Sequence, residues 1–249
     1  MRRVRVLSLF VGVVAATAVV GAPPGLAEPG GERIVGGNDA TQIYSFMASI
    51  QLKDGSPHCG GTFVSERWVL TARHCLDHKN PGDLQIRIGS KDRTSGGTLT
   101  YPERFVRHDS YDLAMVKIKD SITSGQLNVV RTPQVGTAVR LLGWGKTCDG
   151  NCSAPYPTTL QQLDSTVVAS DACRPYGINT AYEFCVQRKN KDGGACVGDT
   201  GGPAVENPDG QYWRLDGVLS RGANPCKPGP DVYVRVSAFV DWIRKQVSS

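Results

Sequence analysis

From Ser45 onward the chain alternates short apolar runs with polar turn residues. SFMASIQL (45–52), GTFVSERWVLTA (61–72), LQIRIG (84–89), DLAMVKI (112–118) and AVRLLGWG (138–145) come first. LQQLDSTVVA (160–169), YWRLDGVLS (212–220) and DVYVRV (231–236) continue the series. Repeated short runs with Gly, Pro, Asn and Asp between them predict antiparallel strands in a sandwich or barrel. Only SAFVDWIRKQV (237–247) has helical spacing, which puts Phe239, Val240, Ile243 and Val247 on one face. The looser NVVRTPQVGT (128–137) joins two halves of similar size, and no internal repeat is visible.

The first residues follow a different pattern. MRRVRV precedes an uncharged apolar run from Val6 to Ala22, followed by Pro23, Pro24, Gly25 and Ala27. A basic start, an apolar middle and a small-x-small exit describe a secretory leader cut after Ala27. A membrane anchor is the competing reading, but spanning a bilayer takes roughly 20 apolar residues, and this run is short and ends in proline. The Arg2-Arg3 pair sits in a weak twin-arginine pattern, so a general secretory route is expected. EPGGER (28–33) is too short and polar to fold, and it ends in Arg33 before IVGG.

Composition narrows the class. The 249 residues suffice for one large or two small cores, and 29 Gly with 15 Pro suits short strands joined by turns. Net charge is +5, but residues 1–33 hold four of the basic and two of the acidic side chains. The remainder carries 24 basic and 21 acidic residues, an ordinary soluble surface. It has no basic run or aromatic-basic stripe for nucleic acid. Export gives the 8 Cys a meaning, because an even count in an oxidising compartment reads as disulfides. Their spacing contains no paired CxxC set with histidines, so no metal is expected. Cys148 and Cys152, in CDGNC, read as a small local bridge.

Three stretches carry candidate chemistry. TARHC puts His74 at the end of an apolar strand beside a cysteine that could pin its backbone. HDSYDLAMVKI puts Asp112 at the mouth of another strand, and GDTGGP supplies a hydroxyl with closely spaced N–H donors. Each alone has a bland reading: a structural histidine, a turn-forming aspartate, a glycine turn.

Together, and in this order, they resemble the chymotrypsin/trypsin family of serine proteases. IVGG (34–37), GGTFVSERWVLTARHC (60–75), YDLAMVKI (111–118), LLGWG (141–145), CVGDTGGP (196–203), GVLSRG (217–222), PDVYVRV (230–236) and FVDWI (239–243) all fall in place. The resemblance covers essentially all of residues 34–249. It implies an all-β fold of two antiparallel six-stranded β-barrels, about 34–130 and 131–249, ended by a helix.

The resemblance also implies roles. His74 would be the general base and later the acid, Asp112 would hold its tautomer, and Ser220 would support Asp112. The N–H groups of Gly198 and Thr200 would form the oxyanion hole. The implied disulfides are Cys59–Cys75, Cys173–Cys185 and Cys196–Cys226, with Cys148–Cys152 left over. Removal of the 28–33 propeptide would free the Ile34 ammonium to pair with Asp199, so the uncut chain would be a zymogen. Gly194, Ala195, Arg221, Gly222 and Asp231 would line the substrate pocket. The implied product is an extracellular monomer acting on peptide or protein substrates and open to protein protease inhibitors. It would need no cofactor and, once its leader is removed, would be free of the membrane. The short, basic, Ala/Val-rich leader suits a secreted bacterial member.

Four positions depart from the family pattern. Thr200 stands where a serine is usual, and Arg221 where a tryptophan commonly lines the pocket. Gly194 occupies the place of the aspartate that selects Lys and Arg, while Asp231 replaces a glycine and brings a carboxylate from the other wall. The threonine keeps the hydroxyl, but its methyl stiffens χ1. Overpacking of that size costs about 1–3 kcal/mol, or one to two decades of rate at roughly 1.4 kcal/mol each. A weakened peptidase is the expected outcome. The rival is a secreted binding protein that kept the fold and lost turnover, against which stand the intact His74, Asp112, Asp199, Ser220 and Arg33-Ile34 junction.

Overall fold

The apolar run at 61–72 is not one strand. Glu66 and Arg67 interrupt it, and the chain reverses there into a hairpin of β3 (Pro57–Ser65) and β4 (Trp68–Thr71). These residues belong to a computed structural model that describes residues 36–127, 130–147, 153, 155–187, 193–222, 226 and 229–248. The leader, the Arg33-Ile34 junction and the Cys148–Cys152 pair lie outside the described residues.

The first sheet is built from that hairpin with β2 (Met47–Leu52), β5 (Leu84–Ile88), β6 (Thr98–Thr100), β7 (Pro102–Arg107) and β8 (Ala114–Ile118). Its order is β6-β5-β2-β3-β4-β8-β7, antiparallel throughout. β5 shows the period of a half-buried strand: Leu84, Ile86 and Ile88 point into the core, while Gln85 and Arg87 are half-exposed.

The second sheet holds β1 (Asn38–Asp39), β9 (Ala138–Gly143), β10 (Gln161–Val168), β11 (Glu183–Gln187), β12 (Pro203–Glu206), β13 (Arg214–Gly222) and β14 (Asp231–Arg235). Strand β9 pairs with both β10 and β12, so six of these strands close into a barrel, with β1 added outside on β10. The first sheet curls without such closure: no pairing among the described strands joins β6 to β7. The all-β architecture is as the sequence implies, with seven strands in the first sheet instead of six.

One continuous core joins the two sheets. Met47, Ile50, Phe63, Leu70 and Met115 pack in the same cluster as Leu142, Val205, Leu215, Val218 and Val234. A smaller cluster around Leu141, Leu163, Phe184, Val186 and Tyr233 fills the closed barrel. The chain then turns through a 3-10 segment, Val236–Phe239, into α1 (Val240–Val247). Val240, Ile243 and Val247 line a groove with Val64, Leu127 and Leu215, and Phe239 is buried, which is the apolar face read from the tail. Strand β13 also buries Asp216 completely, with neither carboxylate oxygen hydrogen-bonded. Burial, and then the nearby Glu206 charge, push its pKa up to about 8.

The sheets meet at a backbone contact. The Gly60 N–H of β3 donates to the Thr200 carbonyl at 2.8 Å. A Cβ on Gly60 would lie 2.8 Å from Gly202 Cα and 2.9 Å from Gly202 N, so only glycine permits this approach. Gly60→Ala should therefore lower stability by about 1–3 kcal/mol or more through overpacking against backbone. Gly82→Ala, where a Cβ meets nothing within 4 Å, should stay within about 0.5 kcal/mol of the parent. Urea denaturation of the two variants checks this, and equal effects would overturn the contact's role.

Candidate active site

His74 sits in a short 3-10 turn, Arg73–Leu76, immediately after β4. Several ties hold that turn. Cys75 is bridged to Cys59 on β3, and its carbonyl lies 2.6 Å from His58 Nε2. Arg73 donates to the carbonyls of His108 (3.2 Å) and Asp109 (2.8 Å), which ties the turn to the segment entering Asp112.

Asp112 closes onto this turn. Its Oδ1 accepts the His74 backbone N–H at 3.0 Å, and His74 Nδ1 lies 2.9 Å from Oδ2 and 3.0 Å from Oδ1. An ionised carboxylate only accepts, so the Nδ1 proton belongs to this bond and Nε2 is left as the basic nitrogen. On the other side, the Ser220 hydroxyl donates to Asp112 Oδ2 at 2.6 Å. The hydrogen bond to Asp112, working against burial, holds the His74 pKa above its usual value, and the charges of Asp112 and Asp77 add to this. Burial pushes the Asp112 carboxyl up, but the bonds from His74 and Ser220 outweigh it and hold it below the usual range.

The Asp112 segment is wedged by aromatic rings. Tyr111 packs on Tyr182 (centroids 4.4 Å) and on Phe239 (4.9 Å), while His108 lies 5.2 Å from both Phe239 and Trp242. Asp112 is thus seated from the first sheet, the closed barrel and the C-terminal helix.

The third stretch, GDTGGP, turns just before β12. Thr200 is half-buried, and the Cys75 sulfur lies 3.7 Å from its carbonyl oxygen, so the bridge that pins His74 also touches the threonine's backbone. Gly198 adopts φ +99°, a left-handed conformation, and a Cβ there would lie 2.9 Å from Tyr156 Cε1. Between them Asp199 is buried, its carboxylate accepting from Gly145 N–H (2.7 Å) and Cys196 N–H (2.9 Å). Among the described residues it has no cationic partner, and burial, partly offset by those two bonds, pushes its pKa up to about 7.

Thr200 opens onto a cavity of about 220 Å³ lined by Ala195, Val197, Leu219, Arg221, Gly222 and Asp231, among others. The Cys196–Cys226 bridge forms one wall, and Cys173–Cys185 ties the segment before β11 to that strand. Asp231 is 3% exposed and accepts the Ala195 N–H at 3.0 Å. A Cβ on Gly194 would sit 3.2 Å from Asp231 Oδ2, and one on Gly222 would collide with Oδ1, so the two glycines make the room the carboxylate fills. Burial first, and the neighbouring Asp199 charge after it, raise the Asp231 pKa to about 7. Of the expected site residues, Ile34, Cys148 and Cys152 lie outside the described residues. The reading of the sequence missed Arg73, His58 and Glu183. One signal was available, the parallel His58-Cys59 and His74-Cys75 pairs.

A fold of two antiparallel β units with a His–Asp–Ser hydrogen-bond chain beside a glycine-rich hydroxyl turn is that of a serine-type peptidase. The family described as Trypsin matches residues 34–243, and the chain belongs to this family of trypsin-like serine proteases, enzymes that act on peptide or protein substrates. It is 32% identical over 232 residues to trypsin of Sarcophaga bullata, covering 86% of this chain and 88% of that protein. It is 34% identical over 240 residues to each of trypsin delta and trypsin gamma of Drosophila melanogaster, covering 89% of this chain and 91% of each relative. These relatives are insect proteins, and the bacterial character read from the leader rests on that segment alone.

The Asp112 contact has a direct readout. Asp112→Asn removes the charge and the acceptor pair, so the His74 pKa should fall back to or below roughly 6.5. NMR titration of the imidazole checks this, and an unchanged titration would separate Asp112 from His74.

Proposed function

We propose that the protein is a secreted endopeptidase in which Thr200 is the nucleophile, His74 the general base and acid, and Asp112 the group that orients His74. The observation that carries this reading is the Ser220–Asp112–His74 hydrogen-bond chain, joined to the Thr200 turn through Cys75, the residue after His74, whose sulfur lies 3.7 Å from the Thr200 carbonyl. Thr200 Oγ attacks the scissile carbonyl carbon as its proton passes to His74 Nε2. The carbonyl oxygen becomes an oxyanion held by the N–H groups of Gly198 and Thr200. His74 then gives the proton to the departing amine, leaving an acyl ester on Thr200. Water, deprotonated by His74, attacks that ester and releases the carboxylic acid product with the threonine regenerated. Asp112 stays ionised throughout and stabilises the imidazolium.

Maturation at Arg33-Ile34 belongs to the same reading. A buried carboxylate without a cation costs several kcal/mol, and Asp199 is such a group among the described residues. The freed Ile34 ammonium supplies the missing charge and holds the Gly198–Thr200 turn in its working shape. The leader delivers the chain outside the cell as a monomer, where protein protease inhibitors can meet its cavity. Among the described residues no helix is long and apolar enough to cross a membrane.

The pocket reading follows from Asp231. Its carboxylate, framed by Gly194 and Gly222, accepts a cationic side chain before the scissile bond. With a pKa of about 7, Asp231 is protonated below neutrality and charged above it. Preference for Lys or Arg over a neutral side chain of equal length should therefore grow from pH 6 to pH 8, read as the ratio of kcat/KM values. Asp231→Asn should make that ratio independent of pH. A ratio flat in the parent protein would remove Asp231 from substrate selection.

The nucleophile has its own test. After cleavage at Ile34, a fluorophosphonate should label Thr200, as mapped by peptide mass. Thr200→Ala should abolish turnover above the level an oxyanion hole alone supports. Thr200→Ser should raise peptide hydrolysis by about one to two decades if the methyl costs about 1–3 kcal/mol. A parent protein as inert as Thr200→Ala, beside an active Thr200→Ser, would identify a retired peptidase that serves as a binding protein.

A further inference from the structure

Arg221 reaches the rim of the cavity but directs its guanidinium elsewhere. Its Nε–H donates to the Tyr176 carbonyl at 2.8 Å. One terminal nitrogen donates to Glu183 Oε1 (2.7 Å) and Ser220 Oγ (3.2 Å). The other donates to Glu183 Oε2 (2.9 Å) and the Gly177 carbonyl (2.8 Å). A guanidinium has five N–H donors, and these contacts engage all of them. Glu183 faces it in the planar, two-bond arrangement that suits arginine and not lysine. The carboxylate is itself fixed, since it is buried and Oε2 also accepts the Asn179 N–H at 2.7 Å. Arg221 therefore has no donor left for a substrate.

Its contact with Ser220 has a consequence for the catalytic turn. A serine hydroxyl has one hydrogen and two acceptor lone pairs. With Arg221 donating to the oxygen, the hydrogen is committed to Asp112 Oδ2, 2.6 Å away. We propose that Glu183 and Arg221 are a positioning pair for the active site. They lock the Ser220 hydroxyl onto Asp112 and set a compensated positive charge one hydroxyl away from the carboxylate that holds His74. Arg221 touches no reacting atom, so it acts through Ser220 and Asp112. The kinetic part of this inference rests on the peptidase reading above, and its electrostatic part does not.

The charges facing His74 are few enough for the pair to be read. Asp112 and Asp77 face His74 directly, His58 lies behind it with Lys79 beyond, and Arg221 is the cation acting on Asp112. Arg221→Met removes a positive charge that offsets Asp112, so the His74 titration should move up. Glu183→Gln removes the anion that offsets Arg221, so it should move down. Each shift should be about half a pH unit, below the 1–3 units of a direct charge contact because the pair acts from beyond Asp112.

The experiment is NMR titration of His74 in the processed full protein and these variants, with kcat and KM measured alongside. Opposite shifts are expected, with kcat of Arg221→Met reduced about tenfold at a pH above the limb and KM little changed. Arg221→Lys, which keeps the charge without the fork, should restore the titration but not the full kcat. Titrations unmoved in all variants would overturn the proposal, even if activity fell. If Arg221→Met does not fold, Glu183→Gln decides, because it is nearly isosteric and a downward shift is required of it. Shifts seen in a protein that never turns over would sink the peptidase reading and leave this one standing.

Discussion

The site depends on a backbone contact made possible by missing side chains. Gly60 on the first sheet and Gly202 beyond the hydroxyl turn approach so closely that no Cβ fits at Gly60, and the Gly60 N–H takes the Thr200 carbonyl. His74 and Asp112 belong to the first sheet, and Thr200 and Ser220 to the second. Without this junction the two halves would present their chemistry to different surroundings. The Cys59–Cys75 bridge reinforces it by holding the His74 turn against the same carbonyl. The geometry of the site is therefore a property of the interface between the sheets and of no single segment.

Three buried carboxyls show what that close packing costs. Asp199 and Asp231 hold their protons to about pH 7, and Asp216 to about pH 8. In the unfolded chain an aspartate ionises near 3.9. Between roughly pH 4 and 7 these three groups therefore bind more protons folded than unfolded, and their contribution to stability falls as pH rises through that window. A cation supplied to any of these groups reverses the slope for that group. For Asp199 the proposed cation is an ammonium made by cleavage, and for Asp231 it comes with the substrate. Folding stability and, on the proposed reading, maturation and substrate capture share one electrostatic source. Asp216 has no such role in the proposed chemistry, and Glu206 beside it adds to its cost.

The strand centres were legible because β5, β8, β10 and β14 carry their burial in the pattern of apolar positions. His74, Asp112 and GDTGGP were legible because their order along the chain matches one family. What stayed hidden has physical reasons. β7, PERFVR, and β12, PAVE, begin with proline and lack alternation, and they become strands because neighbours offer them partners on both sides or at an edge. The hairpin at Glu66-Arg67 was concealed by apolar residues on both sides of a two-residue polar break. Arg221 lines the cavity, as the family resemblance implied, but the direction of its guanidinium was not readable. Its partner Glu183 lies 38 residues away, and no local rule connects them. Asp216, between Leu215 and the Gly217-Val218 pair, reads locally as a solvent-facing position until the sheet closes over it.

The aromatic wedge around Asp112 links chain order to the timing of assembly. Tyr111 and His108 rest on Phe239 and Trp242, which lie more than a hundred residues later in the sequence. During synthesis the first sheet has all its strands long before those rings emerge from the ribosome. The aspartate bonded to His74 gains the aromatic part of its seat only when the C-terminal segment docks. Because the first sheet also shares its core with the second, the arrangement around His74 is complete only when the C-terminal residues are in place, at the end of folding and not at the beginning.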